Sequence, residues 1–167
     1  MSVTVTVETG ASISGANSYI DSAQADAILA LEPLDLCAWK SLDADTKARF
    51  IIAATLWLDD HVTWSGKSKS TTQALGWPRK NARDRERRPV ADNIVPSQVR
   101  RATALIANYL LSNDDADQAG IRRFRSDTFE IEYQQGWYKS PCPSWLKFVL
   151  FGLGSPGNEL GSKKIVH

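Results

Sequence analysis

A stripe of apolar residues at helical spacing limits this chain more than any other feature. Phe50, Ile51, Ala54, Trp57, Leu58, His61 and Val62 recur at intervals of one helical turn, the pattern of an α-helix with one buried face. Such a face needs partners, and the rest of the chain must supply them. Asp43 and Asp45 sit where the helix starts and complement its positive end. Asp21 and Gln24 have capping-box spacing ahead of Ala23, Ala27 and Leu31, and Pro33 ends that helix. Pro96 fits the first position of a third helix, with Val99, Ala102, Ile106, Tyr109 and Leu110 on its apolar face. Pro143 opens a last short helix, residues 144–151, closed by Gly152. Val3, Val5 and Val7 alternate with threonines as a short N-terminal strand. Residues 121–125 and 128–133 read as a hairpin around Ser126 and Asp127, with Phe129, Ile131 and Tyr133 alternating with Glu130 and Glu132. With 167 residues the chain is long enough for one domain with a core. The predicted fold is mainly α: a small bundle of about four helices with a short β-hairpin and N-terminal strand. The predicted organisation is a helical domain over residues 1–151, with an inserted loop at 63–95, followed by an extended C-terminal tail at 152–167.

The net charge of +1 conceals a strong segregation. Residues 1–60 sum to −6, and residues 79–125 to +5. The inserted loop holds Trp64, Trp77 and the basic run from Arg79 to Arg88, six cations against Asp84 and Glu86. Two tryptophans argue for a packed loop, and long loops in small domains are often functional. Arginines here could contact phosphates while Trp77 stacks on a base. Trp and Arg are equally enriched in protein interfaces. A third reading is a solvated loop whose arginines pair with Asp84 and Glu86. A chain so divided suits docking to something charged or to a copy of itself.

Little points to catalysis. His61 is the only internal histidine and lies on the apolar stripe, which favours a packed helix-end residue over a metal ligand. No Ser–His–acid set can be assembled. Glu130 and Glu132 read as the solvated face of a hairpin. Residues 152–157 spell GxGxxG, but no strand precedes it and no helix follows. No enzyme activity, metal or cofactor is expected. Cys37 and Cys142 stand apart from any CxxC and read as reduced thiols. The N-terminus lacks the basic and apolar regions of a signal peptide, and no stretch is long enough for a membrane span.

Five segments in order suggest a family: Gly15-Ala-Asn-Ser-Tyr19, Trp57-Leu-Asp59 with Trp64-Ser-Gly66, Gln73-Ala-Leu-Gly-Trp77-Pro-Arg79, Val95-Pro-Ser-Gln-Val99-Arg-Arg-Ala102, and Phe129-Glu-Ile-Glu-Tyr133. Over roughly residues 3–133 they resemble the tailed-phage family of DnaT-like single-stranded-DNA-binding proteins, encoded among phage head and neck genes. The resemblance implies a virion protein of the phage neck, assembled in the host cytoplasm. In that role it is a head-to-tail adaptor, a homo-oligomeric ring (twelve copies by resemblance) beneath the portal. Its partners would be the portal protein and the tail or neck protein below, with the double-stranded genome passing through the lumen. The alternative it implies is a DnaT-like replication accessory protein that binds single-stranded DNA. The adaptor is the expected role, because the chain lacks the evenly spaced aromatics and strongly basic total of a dedicated strand binder. The candidate interface residues are Trp64, Trp77, Arg79, Lys80, Arg83, Arg85, Arg87 and Arg88 of the loop. Arg122, Arg123 and Arg125 of the hairpin and Lys163 and Lys164 of the tail complete the set. They would meet neighbouring subunits, portal or tail, or DNA in the alternative.

Overall fold

A computed structural model describes residues 3–112 and 142–157. Five helices follow in chain order: α1 (Ser22–Leu29), α2 (Cys37–Ser41), α3 (Ala44–His61), α4 (Ser97–Ser112) and α5 (Leu146–Val149). Four strands accompany them: β1 (Val62–Trp64), β2 (Lys67–Ser68), β3 (Arg79–Lys80) and β4 (Gly154–Pro156). The expected mainly helical bundle of about four helices is therefore corrected. Among the described residues the fold is mixed α/β, with five helices and two small antiparallel sheets, β1–β4 and β2–β3. The difference lies in segments without local signal. Cys37–Ser41 is too short for periodicity to reveal, and the strands are two or three residues long with distant partners.

The stripe that opened the sequence reading forms the spine of the core. Asp43 caps α3 by accepting the Thr46 amide at 2.9 Å. Along α3, Ile51, Ala54, Trp57 and Leu58 are buried. At α1 the capping box is complete: Asp21 accepts the Gln24 amide at 2.8 Å and the Gln24 side chain accepts the Asp21 amide at 3.1 Å. Helix α4 packs on α1, α2, α3 and α5, and its buried alanines, Ala102, Ala104 and Ala107, let neighbouring backbones come close. The first two carbonyl bonds at its start run from the Val99 and Arg100 amides to Pro96. At the end of α1, Glu32 accepts both Nε and Nη2 of Arg101 on α4.

The N-terminal segment is extended, but its ladder is a single parallel bridge between Val7 and Ser18. It turns around the buried Glu8 carboxylate, which accepts the amides of Gly10, Ser12 and Ile13. Gly10 has φ +106°, and a Cβ there would lie 2.0 Å from the Asn93 carbonyl oxygen, so only glycine fits. Residues 152–157, read as the start of a tail, include β4, which pairs with β1 at the end of α3 (Val62 opposite Pro156, Trp64 opposite Gly154). Cys37 and Cys142 are free thiols. No helix among the described residues is long and apolar enough to cross a membrane. The hairpin expected at 121–133 lies outside the described residues.

Candidate functional site

The inserted loop is held in place by one carboxylate. Asp59, near the end of α3, accepts the Tyr19 hydroxyl at 2.6 Å, the Trp64 indole N–H at 2.9 Å and the Gly76 amide at 2.8 Å. The Tyr19 oxygen in turn accepts the Trp77 amide at 3.2 Å. Burial raises Asp59 above the usual carboxylate range, partly offset by these hydrogen bonds. Burial, with the Asp59 charge beside it, pushes the Tyr19 phenol far above its ordinary value. Gly76 is a glycine for want of room, since a Cβ would meet Asp59 Oδ1 and Trp64 Nε1 at 2.7 Å. Three of the five segments that carried the family resemblance therefore converge: Tyr19, Asp59, Trp64, Gly76 and Trp77 make one network.

This geometry reassigns the aromatic and first basic candidates. Trp77 is fully buried and meets Trp64 edge-on, ring centroids 5.9 Å apart. Neither ring is open to a base, so the stacking role read for Trp77 is corrected: its size and apolarity are used in the core. Arg79 is a brace, donating to the carbonyls of Ser65 (2.7 Å), Gly76 (3.0 Å) and Gly66 (3.0 Å). Burial draws its guanidinium below the usual arginine value. His61 stacks on Trp57, with centroids 4.2 Å apart and planes 7° apart, while its Nδ1 lies 2.8 Å from the Trp57 carbonyl oxygen.

The remaining loop cations form an exposed surface. Lys67 and Lys80 are direct partners across β2–β3, so their ammonium groups leave the ladder on the same side, an arrangement that repulsion disfavours. Beyond β3 the chain makes a tight hairpin, bridged from Arg83 to Pro89. Asp84 organises it, accepting the amides of Glu86 (2.8 Å) and Arg88 (2.9 Å) and the Arg88 Nε (2.9 Å). Glu86 also pairs with Arg88, at 3.1 Å. Both acids of the run are thus engaged with Arg88. Arg83 donates to the Arg87 carbonyl oxygen, and Arg85 lies over the Phe151 ring. Among the described residues, Lys67, Lys80, Arg83, Arg85 and Arg87 have no carboxylate partner. Among the described residues, the reading of arginines paired with Asp84 and Glu86 holds for Arg88 alone, and elsewhere in the loop Lys69 pairs with Asp92. Arg122, Arg123, Arg125, Lys163 and Lys164 lie outside the described residues.

Sequence reasoning missed Phe148 and Phe151. Both are exposed, at 67% and 58%, and Phe151 adjoins the basic hairpin. The signal was present in Leu146-Lys-Phe-Val-Leu-Phe-Gly-Leu153, where leucines fall at i, i+4 and i+7 and the phenylalanines between them. In the fold the three leucines are buried and the two rings face solvent.

The fold and this surface define a class: a small mixed α/β protein presenting a pinned loop, most of whose cations lack a carboxylate partner among the described residues, with aromatic rings beside it. The chain belongs to the family described as "Putative DnaT-like ssDNA binding protein", which it matches over residues 3–155. That match runs from the N-terminal segment into β4, beyond the span covered by the motifs. It carries the single-strand-binding description, and nothing in it indicates a head–tail adaptor. No curated protein and no solved structure matches the chain.

Proposed function

We propose that this protein binds single-stranded DNA through the cationic surface of the inserted loop. One observation carries the reading: Arg88 takes up both acids of the basic run, leaving Lys67, Lys80, Arg83, Arg85 and Arg87 without carboxylate partners among the described residues. Opposed lysines on a two-residue ladder gain a purpose where a phosphate backbone lies between them. The Asp59 network and the Arg79 brace hold the loop in shape before the ligand arrives, so less ordering accompanies binding. The family description supports the same ligand class.

Fluorescence anisotropy with a labelled oligo-dT strand tests this across a salt series. Affinity should fall log-linearly with salt, by about 0.7 in the slope for each phosphate neutralised. The variant Lys67→Ala/Lys80→Ala/Arg87→Ala should flatten that slope by about 2. A wild-type protein that binds no oligonucleotide at low salt and assembles instead into a ring would overturn the reading in favour of the adaptor.

A further inference from the structure

The basic hairpin and the exposed phenylalanines are one rigid object. Gly152, which follows Phe151, has φ +90°, and a Cβ there would lie 2.6 Å from the Asp84 carbonyl carbon and 2.7 Å from the Arg85 amide nitrogen. The backbone after α5 is therefore laid directly on the hairpin tip. The Arg85 guanidinium sits 5.5 Å from the Phe151 ring centre, and Lys147 Nζ sits 5.0 Å from the Phe148 ring centre. Leu146, Leu150 and Leu153 anchor the segment in the core. Phe148 and Phe151, three residues apart, face water with a cation over each ring. A ring left more than half exposed contributes little to a monomer's stability, and two beside a cationic loop form a surface suited to a ligand. The ligand must offer flat π-faces and closely spaced negative charge together, which an unpaired nucleotide strand does and a duplex, with its bases stacked inside, does not.

Resting on the single-strand reading above, we infer that Phe148 and Phe151 form a base-stacking platform. Two unpaired bases lie on the rings while Arg85 and Lys147 move to the flanking phosphates. The strand would run from the opposed lysines of β2–β3 past the hairpin tip to α5. Selection of single strands over duplex comes from the rings, and the salt-sensitive part of the affinity from the loop cations.

The test compares oligo-dT with an abasic strand of the same length and charge, using the full chain. With one base stacked on each ring, wild-type protein should bind oligo-dT at least about thirtyfold more tightly than the abasic strand. Phe148→Leu/Phe151→Leu keeps the apolar volume and removes the rings. It should bind both strands equally, at the wild-type affinity for the abasic strand, with the salt slope unchanged. Equal binding of both strands by wild-type protein overturns the platform while leaving the phosphate contacts standing. A double variant that keeps the wild-type preference for oligo-dT overturns it too. Failure of wild-type protein to bind either strand overturns the single-strand reading and the platform with it.

Discussion

Replacing Asp59 with alanine should undo the inserted loop from within. Three donors converge on its carboxylate: the Tyr19 hydroxyl at 2.6 Å, the Gly76 amide at 2.8 Å and the Trp64 indole at 2.9 Å. A buried donor stripped of its partner costs about 1–3 kcal/mol, so three give a gross loss of several kcal/mol. Against this, burial raises Asp59 above the usual carboxylate range, so removing the charge also relieves a desolvation penalty. The net destabilisation should be about 3 kcal/mol, a large share of the ~5–15 kcal/mol that holds a domain together. Asp59→Asn keeps one acceptor oxygen and should cost about half as much. Urea unfolding followed by tryptophan fluorescence reads this directly, as a midpoint lowered by about 1–3 M with m unchanged. A double-mutant cycle sharpens it. Tyr19→Phe alone should cost about 1–3 kcal/mol, and clearly less once Asp59 is alanine, because only the bond from the Trp77 amide is then left to lose. A cost below 1 kcal/mol for Asp59→Ala, or strict additivity with Tyr19→Phe, would refute the view of Asp59 as the shared anchor.

Three further outcomes follow from single contacts. Gly152→Ala places a Cβ 2.6 Å from the Asp84 backbone at φ +90°; thermal melts should show a loss of about 2 kcal/mol or more, and oligo-dT binding should weaken as α5 lifts from the hairpin. Lys80→Ser removes the like-charge opposition to Lys67 and should stabilise the fold by a few tenths of a kcal/mol while weakening DNA binding, so a gain in both would contradict the proposed function. The Arg101 guanidinium holds the Glu32 carboxyl below its usual value by hydrogen bond and charge. A depressed folded-state value means stability present above the unfolded value and lost as pH falls through the folded one. Glu32→Gln should therefore cost about 0.5–1 kcal/mol near neutral pH, with the difference closing under acid; a pH-independent difference in urea midpoints would contradict this.

Local chemistry was legible and distant pairing was not. The cap at Asp21, the stripe on α3 and the proline before α4 each act within one or two turns, and all three stand where the sequence put them. The partner of Val62–Trp64 is Gly154–Pro156, and no local pattern announces a pairing at that separation. Trp77 was misread for a chemical reason: a large ring with an N–H suits a core and an interface equally, and only the Asp59 network decides between them. Phe148 and Phe151 were hidden in an apolar run too short for periodicity to separate the buried leucines from the exposed rings. The charge segregation, in contrast, led straight to the surface now proposed to bind DNA.

The antiparallel clasp of β1 with β4 bears on how the protein is made. Its second strand leaves the ribosome about ninety residues after the first, and such long-range pairing waits for its partner whatever the local propensity. Gly152, which seats α5 against the hairpin tip, also arrives late. A growing chain can wind α1 and α3 and assemble the Asp59 network early, yet β1 stays without its partner until residues 154–156 have been made.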